Sequence, residues 1–160
     1  YKEDLICNFA LDRMDQDFDY LEDIPYIGTP VDLEERFQEI VGVTLYEDKD
    51  VEEIYFAVSP KSTNFVRSKL IHRTQMEENG DVLQEYWEQY PQLKGWSVFS
   101  IECRPNPELY KRLSSFGGNL VVLKPSFIRD EMVKSVRAAA ENYGIVNASA
   151  EDDKLNNDEQ

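Results

Sequence analysis

Apolar and polar positions change period several times along this chain, and each change marks an element. In DLICNFALDRM (residues 4–14), Leu5, Cys7, Phe9 and Leu11 alternate with Asp4, Ile6, Asn8 and Ala10, an imperfect period of two that predicts a strand. The aspartate-rich run DQDFDYLEDIPYIGTP follows, and its Pro25, Gly28 and Pro30 predict a connector. DLEERFQEIVGV predicts a short helix. Asp32 can cap it and Glu35 completes a capping box, Leu33, Phe37 and Ile40 share one face, and Gly42 supplies a stop. With so little apolar surface of its own, this region is expected to tether two modules.

From Val51 the pattern is that of a compact α/β unit. VEEIYFAV predicts a strand with Ile54, Phe56 and Val58 on one face. Ser59-Pro60 is an N-cap and first helical residue for a helix reaching about Lys69. IHRTQMEE predicts an extended segment from Ile71, Asn79-Gly80 a hairpin turn, and DVLQEYWE the returning strand. QYPQLKG is a loop, and WSVFSIEC a core strand with Phe99, Ile101 and Cys103 alternating. Asn106-Pro107 starts a second helix with Leu109, Leu113 and Phe116 on one stripe, ended by Gly117-Gly118. NLVVLKP is a short apolar strand. Pro125-Ser126 then opens a longer helix whose expected buried face is Ile128, Met132, Val136, Ala139 or Ala140, and Tyr143. Asp130 and Glu131 lie near its positive end, as the helix dipole favours.

Strand, helix, strand, strand, helix, strand, helix is the order of an α+β, ferredoxin-like (βαββαβ) domain with an added hairpin arm and a C-terminal helix. The pattern leaves open whether DVLQEYWE or WSVFSIEC is the third strand of the sheet. It also leaves open whether Trp87, Tyr90 and Trp96 pack in the core or face a partner. The expected division is a strand and helical linker over 1–50, the α+β domain over 51–146, and an acidic, flexible tail over 147–160.

Charge narrows the function classes. Lys plus Arg total 17 against 32 for Asp plus Glu, a formal net charge of −15 over 160 residues. Such a surface repels phosphate backbones and anionic membranes at long range, which argues against nonspecific nucleic-acid binding. A hydrophobic content of 41% is enough to build a core. Cys7 and Cys103 lie far apart with no ligand-spaced neighbours, so two free thiols in a cytoplasmic protein are expected. No apolar run approaches the roughly 20 residues of a membrane span. A chain starting at Tyr1 is expected to be a piece of something longer.

Catalytic chemistry finds little support. There is one histidine, no Gly-rich phosphate loop and no GxGxxG, and Asp15, Asp17 and Asp19 lack the glycine of a calcium loop. No enzyme activity, cofactor or metal is expected. The exception to this blandness is FVRSKLIHRTQ (residues 65–75), which gathers Arg67, Lys69, His72 and Arg73 in an acidic chain. Arg67 has an ordinary explanation as a cation in the last turn of a helix, and His72 as a strand histidine bonded to nearby backbone. The functional explanation is a contact for an anionic or ring-bearing ligand.

The run SPKSTNFVRSKLIHRTQ, followed by KRLSSFGGNLVVLKPSFIRDEMVKSV, resembles the C-terminal extension domain of WYL-domain transcriptional regulators. The shared features are Ser59-Pro60, Arg67 in the helix, His72-Arg73-Thr74-Gln75 at the next strand start, Ser115-Phe116-Gly117, and Leu123-Lys124-Pro125 before an amphipathic helix. NFALDRM is similar to the last strand of the WYL domain itself. The resemblance covers most of Asn8 to Tyr143 and lies in the order and spacing of these features. It implies the effector-sensing and dimerisation portion of a bacterial regulator. The effector would be a nucleotide or short single-stranded nucleic acid, and operator DNA would be read only through an N-terminal domain outside this chain. By position it implies ligand contacts from Arg13, Arg67 and His72 in a homodimer, and Arg73, beside them in the basic run, is expected to join the contact. The family often has proline where this chain has Leu70 and Arg73.

Overall fold

The computed structural model describes residues 11–15, 17, 19, 22–28 and 30–145. Its elements are α1 (Leu33–Phe37), β1 (Glu52–Val58), α2 (Pro60–Ser68), β2 (Met76–Glu77), α3 (Gly80–Gln89), β3 (Ser97–Cys103), α4 (Pro107–Ser114), β4 (Leu120–Lys124) and α5 (Ser126–Asn142). The fold is α+β, with one four-stranded sheet in the order β2-β3-β1-β4 and every pair antiparallel.

β1 lies at the centre, with Ile54 opposite Ile101 and Phe56 opposite Phe99 on β3, and Phe56 opposite Val122 on β4. Because side chains alternate along a strand, Ile54, Phe56, Val58, Phe99, Ile101 and Cys103 all emerge on one face, where they are buried. α2 and α4 cover that face with Val66, Leu109 and Leu113, and α5 adds Ile128. The opposite face carries Ala57, Val98 and Leu123, and packs against Leu83, Tyr86, Tyr90, Leu93 and Trp96. Tyr90 and Trp96 are therefore core. Trp87 is half-buried and donates its indole N–H to the Trp96 carbonyl at 3.0 Å.

The hairpin arm is not there. DVLQEYWE is helical within α3, and WSVFSIEC provides the sheet's third strand, β3. Gly80 does take the left-handed φ of +57° that a hairpin turn uses, but the chain leaves it into a helix. The reason is packing: Leu83, Tyr86 and Tyr90 recur at helical spacing and cover the second face of the sheet, which a strand at the edge would leave bare. The extended segment expected from Ile71 shrinks to β2, two residues paired with Ser100 and Phe99. Before it the Gln75 side chain replaces sheet bonding, accepting from the Ile71 N–H at 2.9 Å and donating to the Val66 carbonyl at 3.1 Å.

The expected buried face of α5 fails beyond its second turn. Ile128 is buried and Met132 packs against the core, but Val136 is 64% exposed and Tyr143 85%. α5 has 17 residues and β4 only 5, so the helix runs about 25 Å against roughly 17 Å of strand and overshoots the sheet. At the other end, Leu11–Arg13 of the expected first strand form a 3-10 turn and Met14 a bend in place of a strand, while residues 4–10, Cys7 among them, and the 147–160 tail lie outside the described residues. No helix among the described residues is long and apolar enough to cross a membrane.

Candidate functional site

The four residues of the basic cluster sit in four different environments. Arg67, in the last turn of α2, places a two-pronged grip on Glu77 of β2: Nε to Oε2 at 2.8 Å and Nη2 to Oε1 at 2.6 Å. The Asn64 side chain accepts a further bond from it at 3.3 Å. The guanidinium holds the Glu77 carboxyl below its ordinary range. Charge-assisted, bidentate bonds of this kind fix geometry even at a surface. Here the pair joins the end of α2 to β2.

His72 points inward and is buried. Its Nε2 lies 2.9 Å from the Gln38 carbonyl oxygen and its Nδ1 2.8 Å from the Thr74 hydroxyl. A carbonyl only accepts, so in the neutral ring Nε2 carries the hydrogen and Nδ1 accepts from Thr74. Thr74 Oγ1 in turn accepts from the Glu102 N–H of β3 at 2.8 Å. Burial holds the imidazole below its usual pKa. The bond to Gln38 pulls the other way, and the neighbouring charge of Arg73 adds to the depression.

Arg73 is exposed and, among the described residues, forms no ion pair. Arg13 is exposed on its 3-10 turn, and no contact among the described residues joins it to the other three candidates. Lys69 rests over the Phe65 ring at 5.2 Å. The sequence cluster is thus one salt bridge, one internal pin, one cation over a ring and one outward cation.

The partner of His72 leads to what the sequence reading missed. Residues 38–49 form a strap latched across the domain, and the catch is the short loop from Arg104 into α4. The Arg104 N–H donates to the Glu39 carbonyl at 2.6 Å, and its side chain reaches Glu39 Oε2 at 2.7 Å and the Lys49 carbonyl. Asn106, 1% exposed, accepts from the Leu109 N–H at 2.8 Å as the cap of α4. Its amide then donates to the Val41 and Thr44 carbonyls, both at 2.8 Å. Glu108 Oε1 accepts from the Thr44 hydroxyl at 2.7 Å. Oε2 of the same carboxylate is buried and has no hydrogen-bond partner among the described residues. Gly42 passes over Glu108 at φ +78°, where a Cβ would meet Glu108 Cγ at 2.7 Å. Ile40 sinks into the domain, 5% exposed.

The Asn106-Pro107 signal marked the cap correctly. Nothing local in the sequence marked the second job of that amide, because its acceptors lie more than 60 residues earlier.

Burial pushes the Cys103 thiol up to about 12, so it remains protonated near neutrality. No group of three or more His, Cys, Asp or Glu side chains among the described residues is placed to hold a metal ion. His72, Arg104, Asn106 and Glu108 instead hold residues 38–49 against the domain, while the Arg67–Glu77 pair braces α2 to β2.

No curated protein matches the chain in sequence. The WCX domain family does, over residues 50–140, which takes in all four strands and most of α5. This chain belongs to the WCX domain family, the C-terminal extension of WYL regulators.

Proposed function

We propose that this chain is the effector-responsive and self-associating portion of a bacterial transcriptional regulator, without catalytic activity of its own. Residues 51–146 are the extension domain in this reading, 1–50 the end of the WYL domain and the strap leading from it, and 147–160 an acidic tail. The strand order β2-β3-β1-β4, with α2 and α4 on one face, supports assigning the domain to the ferredoxin-like class, with α3 inserted and α5 appended.

The observation that carries self-association is the outer half of α5. Val133 is 38% exposed, Val136 64% and Tyr143 85%, along a helix half with little core beneath it. An isolated helix of two or three turns is marginal in water, so a covering surface is expected. A two-fold pair of identical chains supplies one and closes on itself. Sedimentation of the chain tests this: a dimer that Val136→Glu converts to monomer is expected, and a monomeric wild type overturns it.

An anionic effector would meet Arg73 and, on the family's pattern, Arg13. To use Arg67 it must displace Glu77 from the guanidinium, and His72 would act through the strap rather than by contact. Binding that prefers one arrangement of the subunits would then shift the placement of attached DNA-reading domains. A thermal-shift titration with nucleotides and short single-stranded oligonucleotides is the test, since binding to the native state raises the melting temperature. A rise that Arg73→Ala removes is expected.

A second reading is a protein-interaction domain with no effector. The observation favouring it is that Arg67 and His72 are both already bonded internally. No melting shift with any candidate effector, alongside intact self-association, would decide for it.

A further inference from the structure

One large groove lies where the strap crosses α4 and α5, with a volume of about 810 Å³. Tyr46 of the strap, Tyr110 of α4 and Phe127 of α5 line it with rings, and Lys49, Lys111 and Lys134 stand along it. Two carboxylates, Asp130 and Glu131, share the lining, and Glu131 is paired with Lys134 at 3.3 Å. Three cations against two anions leave this groove net positive on a chain whose total is −15. Phe127 is 49% exposed there.

A second feature of the same chain is its counterpart. The segment Glu22-Asp23-Ile24-Pro25-Tyr26-Ile27 joins two acids to three large apolar side chains. Ile24 is 60% exposed, Tyr26 93% and Ile27 84%, an unusual concentration of bare apolar surface. Glu22 and Asp23 form a turn, and from Pro25, which lacks an N–H, the chain runs on without helix or strand, so Tyr26 and Ile27 are free to enter a groove and unsuited to joining a sheet interior. The segment does not enter the groove of its own chain, as those exposures show. The chain beyond it is held by the strap's bonds to Arg104 and Asn106.

We infer that the groove between the strap, α4 and α5 receives the acidic–apolar segment Glu22–Ile27 of a second copy of this chain. Ile24 and Tyr26 lie on the floor of rings, and Glu22 and Asp23 face Lys111 and Lys49. Each copy offers one segment and one groove, and a two-fold pair satisfies both reciprocally and closes at two. Large aromatic and aliphatic anchors in a pocket, with a charged rim that fixes register, are how such interfaces obtain affinity and specificity. The inference rests on the self-association proposed above and names the contact that accompanies the α5 face.

Disulfide trapping of the 160-residue chain tests it. Tyr26→Cys is placed in one chain and Lys111→Cys in a second, size-tagged chain, both carrying Cys7→Ser, and the two are mixed and mildly oxidised. A disulfide-linked heterodimer is expected, with none when Lys94→Cys, on the loop beyond α3, replaces Lys111→Cys. Sedimentation is run in parallel. A dimer without the Tyr26–Lys111 link overturns this inference and leaves the α5 interface standing. A double-cysteine chain that links only within itself as a monomer places the segment in its own groove and overturns the exchange. A monomer with no link overturns both proposals. In a separate arm, Lys111→Glu and Asp23→Lys are each expected to weaken the dimer about tenfold, and a mixture of the two chains to restore it. Failure of the mixture to recover overturns the charge pairing on which the register depends.

Discussion

His72 Nε2 lies 2.9 Å from the carbonyl oxygen of Gln38, 34 residues earlier in the chain. Through that bond the one histidine ties the segment leading into the domain to the turn before β2. It stands beside three further catches, Arg104, Asn106 and Glu108, that hold the same strap. The placement of residues 38–49 therefore depends on a few polar contacts, each open to test.

Asn106 separates the strap from the helix cap. Asn106→Asp keeps an oxygen for the Leu109 N–H but loses both donors to the Val41 and Thr44 carbonyls. Asn106→Ala loses all three bonds. Leaving buried carbonyls unpaired costs about 1–3 kcal/mol, and losing a cap about 0.5–2 kcal/mol. Urea unfolding should place both variants below wild type, Asn106→Asp because its carboxylate oxygen would face two carbonyl oxygens at a buried site. Limited proteolysis of Asn106→Asp should cut first within residues 38–49. Equal cleavage of wild type and Asn106→Asp would show that the amide does not hold the strap.

The buried histidine should leave a pH signature. Its folded-state pKa lies below the usual 6.5, because burial disfavours the cation. Between those two values the unfolded chain binds the extra proton and the folded chain does not. Stability therefore falls as pH drops below about 6.5, and this loss is complete once pH is under the folded-state pKa. His72→Gln removes the titrating group. Denaturation midpoints at pH 7.5 and 5.5 should differ less in His72→Gln than in wild type, and an equal difference would place the titration elsewhere.

Gly42 is required both by its backbone and by its neighbour. Gly42→Ala puts a side chain at φ +78° and drives its Cβ to 2.7 Å from Glu108 Cγ, so a loss of about 1 kcal/mol or more is expected. Gly118→Ala is the control, since nothing lies within 4 Å of its Cβ position and its φ is not left-handed. Thermal melts should show a clear drop for the first and little change for the second.

The Arg67–Glu77 pair gives a direct reading of whether Arg67 serves a ligand. Glu77→Gln removes the carboxylate that an anionic effector must displace. If Arg67 is a contact, Glu77→Gln strengthens effector binding in a thermal-shift titration and Arg67→Ala weakens it. Unchanged affinity in both would leave the pair as a brace between α2 and β2.

Period and punctuation were enough wherever an element has one clear face. Ile54, Phe56 and Val58, then Phe99, Ile101 and Cys103, alternate as two strands and are buried as two strands. Asn106-Pro107 begins α4 with cap and proline chemistry that act within a few residues, whereas at α2 only Pro60 acts locally, because the Ser59 hydroxyl makes no cap bond and pairs with the Asn119 side chain instead. The order and spacing of such short features carried the family resemblance. The segment 80–89 was misread because Asn-Gly is a strong local signal for a turn, while the helical spacing of Leu83, Tyr86 and Tyr90 counts only if a second sheet face waits to be covered.

The candidate site was less legible, for a related reason. Sequence alone determined which cations and which histidine are present, where the helix ends beside them, and that the chain is too acidic to attract nucleic acid broadly. Only tertiary structure decided that Glu77 takes Arg67, that Gln38 takes His72, and that Asn106 holds a strap more than 60 residues away. The face of α5 shows the same division. Its apolar period is written in the sequence, but how far the sheet extends beneath it is a property of the packed fold, and that length leaves Val136 and Tyr143 exposed.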